Sequence, residues 1–295
     1  CGRTEPQFGP GYPNSVMMRG GVPRRHHNPL ETGVFCDGQA VGPYYLGHSF
    51  PTDVLLMRIK FFPPVVCAVA DTPAQKGRTG RTALTSLVEA ISLAGSQTLQ
   101  IEEGELAGNW SPVLGGSADE VYMFLYDLLP GGAGYTRLVK NNLEAVLEAA
   151  EKLLSQCDCE TSCYRCLRHY GNNFIHAALD RKLALSLLRY VVHGEQPALT
   201  LDERQRSLRP LIDLVRLKNM SSTVNSKRGS AMVPLVISRN DGSEVWVDVH
   251  HPLINADLSP STVRSAAEAE FAEFISLDSF TLNHDLPGAY RMLQL

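Results

Sequence analysis

Four of the seven cysteines in this chain fall within ten residues, at Cys157, Cys159, Cys163 and Cys166, in the pattern C-x-C-x3-C-x2-C. No other feature limits the local fold so tightly. Thiolates hold zinc (Zn) tetrahedrally at about 2.3 Å, and a shell of four sulfurs closes the ion off from any substrate. The short spacings let neighbouring turns present paired sulfurs to one ion. Asp158 and Glu160 leave this intact, because their carboxylates can stay in solvent. Two other readings exist: ordinary reduced cysteines on a loop, or a redox dithiol at Cys163 and Cys166. The clustering weighs against the first, and the absence of a βαβ setting against the second. A closed site performs no hydrolysis, so its expected job is to pin the flanking helices together. An odd count of cysteines, clustered in this way, also points to a reducing compartment, here the cytoplasm.

Elsewhere the pattern alternates between strands and helices. The first fifty residues are rich in Gly, Pro, Arg and His, lack periodicity and read as loop. TDVLLMRIKFF, from Thr52, reads as a strand ended by Pro63 and Pro64. A polar link, DTPAQKGRTGRT, leads to a helix over TALTSLVEAISLAG, where Leu84, Leu87, Val88 and Ile91 share a face and Gly95 stands at the C-cap. TLQIEEGEL and EVYMFLYDLL read as strands, the second closed by a turn at Pro130, Gly131 and Gly132. One amphipathic helix is expected from about Tyr135 to Leu154, the knuckle follows it, and a second helix runs from about His176 to Val192. The whole is an α+β arrangement.

HGEQPALTLDE marks a boundary. Beyond it come a helix from Arg206 to Leu217, a polar linker SSTVNSKRGS, a β-hairpin turning at Asn240, Asp241 and Gly242, and a helix around Ser261 to Phe274. This gives a loop-rich 1–50, a central domain at 51–195 and a small C-terminal unit at 196–295 whose role is not readable. The chain starts at Cys1 without an initiator Met and reads as a piece of something longer. No apolar run approaches the roughly 18 residues of a membrane span, so no membrane role is expected.

The stretch LYDLLPGGAGYTRLV followed by CDCETSCYRCLRHYGNNFIHAALDRKLAL resembles the DUF1998, or MrfA-like, zinc-binding domain. That domain lies at the C-terminal side of certain DEAD/DEAH-type superfamily-2 helicases or occurs as their partner protein. The likeness rests on Gly131 to Tyr135, the four cysteines, Asn173 with His176, and Leu179–Asp180–Arg181. With LGHSFPTDVLLMRI upstream it covers roughly residues 1 to 193. It implies a helicase-associated role in DNA repair or in antiviral (phage) defence, including systems of the DISARM kind, with the motor in cis or in trans.

Cys1, preceding Gly2 and Arg3, stands as the last cysteine of a C-x-x-C-G-R knuckle would. Together with His26 or His27, Cys36 and a ligand ahead of Cys1, it suggests a second, ribbon-like zinc site that would order an otherwise coreless loop. The competing reading is a solvated basic loop at Arg24 to His27 with an incidental Cys36. Cys67, in PVVCAVA, reads as a small core residue.

No Walker A loop is present, so the chain is not expected to hydrolyse ATP or to be an enzyme on its own. The glycines of PGGAGY are expected to permit a tight turn, with phosphate contact by their amides as the minor alternative. A divergent Mg²⁺-dependent nuclease would need Glu89, Glu102, Glu105 and Asp127 to converge, though no catalytic Lys or His sits beside them at a recognisable spacing. A pure protein-interaction scaffold is the third reading. The formal net charge is −4 and the pI about 6.2, so contact with single-stranded or forked DNA has to come from local patches. Candidates are Arg165, Arg168 and His169, interleaved with Tyr164 and Tyr170, and a second group at Arg24, Arg25, Lys76, Arg78 and Arg81. Arginines beside thiolates also serve simply to offset sulfur charge.

Overall fold

The computed structural model describes residues 49–66, 76–113, 119–239 and 241–293, together with three short strands nearer the N-terminus. Those strands, β1 (Gln7–Phe8), β2 (Val16–Met18) and β3 (Tyr44–Leu46), pair antiparallel in the order β1-β2-β3. The segment expected to be loop therefore contains a small sheet. Cys1, Arg24, Arg25, His26, His27 and Cys36 lie outside the described residues, as does Cys67.

The central unit is a three-stranded antiparallel sheet covered on one face by helices. Strand β4 (Val54–Lys60) pairs with β6 (Glu120–Asp127), and β5 (Leu106–Pro112) pairs with the other edge of β6. Period-2 alternation turns Val121, Met123 and Leu125 of β6 inward, and each is 1% exposed or less. Against them packs α1 (Lys76–Leu99), burying Leu84, Leu87, Val88 and Ile91 as its spacing requires.

Three expectations fail here for physical reasons. KGRTGRT is the opening of α1, not a link. Gly95 lies inside α1 and does not cap it: a Cβ there would stand 2.9 Å from Leu106 Cδ2, so the missing side chain admits close packing. The helix stops at Leu99, where Gln100 takes a left-handed φ of 55° and Ile101 N–H reaches back to Ser96 O at 3.1 Å. Leu99 and Ile101, which read as part of a strand, are apolar contacts of this helix stop, and the strand begins only at Leu106.

The expected single helix 135–154 is two, α2 (Tyr135–Asn141) and α3 (Leu143–Ser155). Asn142 separates them, and its side-chain amide donates to Leu138 O at 2.9 Å. After the knuckle comes a 3-10 helix (Tyr170–Ala178) and then α4 (Arg181–His193), where one helix from His176 was expected. Asp180 sets the true start of α4, its carboxylate accepting from the amides of Lys182 and Leu183.

The C-terminal unit opens with α5 (Leu201–Leu217), which starts earlier than expected because Thr200 and Glu203 form a capping box. The supposed linker is β7 (Ser221–Arg228), an edge strand whose polar composition suits its exposure. It pairs with β8 (Ala231–Ser238), and the expected hairpin joins β8 to β9 (Glu244–His250). The last expected helix shortens to α6 (Thr262–Glu270), and Phe274 belongs to β10 (Glu273–Asp278), parallel to β9. Two short helices, α7 (Ser279–His284) and α8 (Leu286–Met292), follow.

The two units are joined by backbone. Val65 and Ile254 form a β-bridge, Val66 N–H donates to Leu253 O at 2.9 Å, and Asn255 N–H donates to Pro64 O at 2.8 Å. Leu253 and Ile254 accordingly belong to the core under the first sheet. Among the described residues no helix is long and apolar enough to cross a membrane.

Candidate metal centre and its flanking groove

The knuckle occupies the gap between the end of α3 and the 3-10 helix. Cys163 O accepts from the amides of Cys166, Leu167 and Arg168 at 3.0–3.1 Å, and this turn folds Cys166 back toward Cys163. The four Sγ atoms all lie within 4.8 Å of one another. Four of their separations are 3.4, 3.5, 3.7 and 3.9 Å. A tetrahedron of sulfurs about 2.3 Å from a central ion has edges of about 3.8 Å, so the donor set fits zinc in size as well as in chemistry. Among the described residues this is the one group of three or more His, Cys, Asp or Glu placed to hold a metal.

The electrostatics agree. Burial pushes the Cys159 thiol up to about 12, helped by hydrogen bonds with the other three sulfurs. Burial acts the same way on Cys163, but the Arg165 amide, 3.4 Å from its Sγ, and the neighbouring sulfurs outweigh it and bring that thiol down to about 6. Sulfurs packed this closely resist carrying charge together, whereas a divalent cation among them favours four thiolates. Asp158 and Glu160 point away from the sulfurs, as expected, pairing with Arg165 and Lys182 at the surface. A zinc ion here would be structural, held by Cys157, Cys159, Cys163 and Cys166.

The sequence did not reveal how the knuckle is anchored. Arg181 is buried, and its guanidinium donates to Cys159 O at 2.7 Å and to Leu154 O at 3.1 Å. Its own amide donates to Thr161 O at 2.7 Å. One side chain thus binds the end of α3, the knuckle loop and α4.

Residues 87–167 match the family of MrfA Zn-binding domains. The match spans the second half of α1, both later strands of the sheet and all four cysteines, so the sequence resemblance holds there. Over 282 residues the chain is 30% identical to Druantia protein DruE of Escherichia coli (strain UMEA 4076-1), covering 92% of this chain and 15% of that protein. It therefore spans only about a seventh of the length of that relative. Two crystal structures of the DUF1998 helicase MrfA are also similar. The one bound to DNA is 18% identical over 52% of this chain and 19% of the other, with a TM-score of 0.34. The one bound to DNA and AMPPNP is 15% identical over 63% and 21%, with a TM-score of 0.33.

The nucleic-acid candidates divide. Arg165, Arg168, His169, Tyr164 and Tyr170 line one groove of about 340 Å³ beside Cys166. Tyr164 is 72% and Tyr170 89% exposed. Arg165 pairs with Asp158 at 2.6 Å, but both are largely in solvent, where such pairs contribute little. Arg168 donates to Ser162 Oγ at 2.9 Å. His169 turns inward instead: its Nε2 lies 3.3 Å from Glu89 Oε2, and hydrogen bonding to that carboxylate raises its pKa above the ordinary histidine value. Arg78 and Arg81 are exposed on the first turns of α1 and do not line this groove.

Among the described residues, the carboxylates proposed for a nuclease form no group placed to hold a metal. Asp127 is fully buried, and its carboxylate accepts from the amides of Ala133, Tyr135 and Thr136 at 2.8–3.0 Å. The glycine turn, with positive φ at Gly131, Gly132 and Gly134, thus spends amides on Asp127 that an outside phosphate would need. Glu89 is held by His169 and by Asn172 Nδ2 at 3.1 Å. The amide in this network is Asn172, with His176 Nε2 2.9 Å from its Oδ1, while Asn173 is exposed.

Proposed function

We propose that this chain is a non-catalytic, zinc-stabilised accessory module of a helicase-type motor, guiding single-stranded or forked DNA past the knuckle or docking the motor. One observation carries the reading: two exposed tyrosines and two arginines gather around a single groove beside Cys166. Tyrosines offer stacking to unpaired bases and arginines offer phosphate contacts, a combination suited to single strands. The motor lies in cis or in trans, and the pathway is repair or antiviral defence. The second site at Cys1, His26 or His27, and Cys36, and the basic group at Arg24, Arg25, Arg78 and Arg81, belong to the same proposal, as do the boundaries near residues 50 and 195.

The test is salt-dependent binding of a short single-stranded oligonucleotide by fluorescence anisotropy. Arg165→Ala with Arg168→Ala should weaken binding and reduce the slope of log K against log salt by roughly 1 to 2, since each lost phosphate contact removes about 0.7. Unchanged affinity and slope would sink the groove. Mg²⁺-dependent cleavage by the wild type would favour the nuclease reading, and association with a motor protein without any DNA binding would favour the scaffold.

A further inference from the structure

A second cavity adjoins the groove. It holds about 280 Å³ and lies between α1, β5 and the 3-10 helix, with Glu89, Ser92, Trp110, His169, Asn172 and Phe174 among its walls. His169 and Leu93 line both spaces, so the two are neighbours across these two residues.

Two polar atoms here are not satisfied from within the described residues. Ser92 is 7% exposed, and its Oγ is buried with no hydrogen-bond partner. Glu89 spends Oε2 on His169 and Asn172, and no bond falls on Oε1. The Ser92 hydroxyl is itself closed off behind this wall, so the polar atom the cavity offers a guest is Glu89 Oε1. The surroundings narrow what that guest is. Trp110 is fixed by its indole N–H, which donates to Thr85 Oγ1 at 3.0 Å, and Phe174 is half-exposed. The His169 ring lies 3.3 Å from Glu89 Oε2, so one oxygen of the carboxylate is occupied and the other is left for a donor. Aromatic walls and a free carboxylate oxygen suit a flat heterocycle with N–H donors, and the volume is that of about one such ring system with solvent.

We infer that this cavity receives a single nucleobase, unstacked from a nucleic-acid strand whose backbone lies along the Arg165–Arg168 groove. The inference rests on the proposed strand-binding role of that groove. Glu89 Oε1 accepts the base's N–H, and Asn172 and His176 hold Glu89 and His169 in register.

The experiment uses the full zinc-loaded chain and compares a short single-stranded oligonucleotide with the same backbone made abasic. The wild type should prefer the intact strand, and the cavity's share of that preference should be about tenfold, the scale of stacking for one base, on top of what Tyr164 and Tyr170 contribute. Ser92→Leu, which fills the cavity, and Glu89→Gln, which removes the acceptor charge while keeping the shape, should each cut the preference by about fivefold without changing the salt slope. Zinc content and thermal midpoint report whether each variant is folded. Salt-dependent binding whose preference is unchanged in a folded Glu89→Gln would overturn the cavity assignment and leave the groove standing. No salt-dependent binding by the wild type would overturn both.

Discussion

Arg181 Nε donates to the carbonyl oxygen of Cys159 at 2.7 Å, linking the first turn of α4 to the middle of the metal loop. The same guanidinium reaches Leu154 O, so two carbonyls, one of them buried, depend on it. Arg181→Ala should cost about 3 kcal/mol, from two charge-assisted bonds at about 1.5 each, and should speed zinc loss to a chelator. Arg181→Lys should recover less than half, because an ammonium cannot span both carbonyls with the planar fork. Urea midpoints and the release rate in the presence of a chromogenic chelator measure the two effects.

The donor set itself predicts a stoichiometry. Protein purified without added metal should carry zinc at the knuckle, measured by inductively coupled plasma mass spectrometry, and Cys163→Ser should lose it. The stability loss should be on the order of 4 kcal/mol or more, as expected when a structural metal is removed. A second equivalent of zinc would support the site at Cys1, His26 or His27, and Cys36. A folded wild type without metal would remove the central assignment.

Asp127 provides a test that separates structure from catalysis. Asp127→Asn replaces one acceptor oxygen by a donor facing backbone N–H groups, and should lower stability by about 1–3 kcal/mol. A catalytic carboxylate would instead show itself as lost Mg²⁺-dependent cleavage at unchanged stability. Thermal melts and a nuclease assay on one preparation decide between them.

The histidine at the junction of the two units predicts a pH dependence. Burial lowers the pKa of His251 to about 4, and its Nδ1 accepts the Leu253 amide at 3.1 Å, which a protonated ring cannot do. Unfolded histidine takes its proton near pH 6.5, so between about 6.5 and 4 the unfolded chain binds more protons. Stability from this group is therefore intact above pH 6.5, falls as the pH drops and levels off below about 4. The loss from pH 7 to 5 should be about 2 kcal/mol, and His251→Gln should flatten that part of the profile. Urea midpoints across the range read it directly.

Local chemistry was legible in the residues. The cysteines announced themselves because coordination tolerates few spacings, and the buried faces of α1 and β6 follow simple periods. What escaped depended on partners far along the chain. Glu89 meets Asn172 across 83 residues, and nothing near either position signals the meeting. Gly95 looked like a helix end because a glycine wanted for space and a glycine wanted for its φ are the same letter. Strands β7 and β10 were missed because an edge strand can be polar, and because Glu273 to Asp278 directly follows a helix whose pattern seemed to run on. The Asn142 break and the Asp180 cap were written in single polar residues that a search for apolar stripes passes over.

The bridge between Val65 and Ile254 bears on how the molecule could be divided. A cut near residue 195 looks harmless in the sequence, yet it would strip the amide of Val66 and the carbonyl of Pro64 of their partners and remove Leu253 and Ile254 from the central core. The severed piece would show a wet, sticky face and tend to self-associate. In calorimetry the intact chain should melt in one step across both units, with the C-terminal hundred residues acting as a built-in plug for the zinc-bearing half.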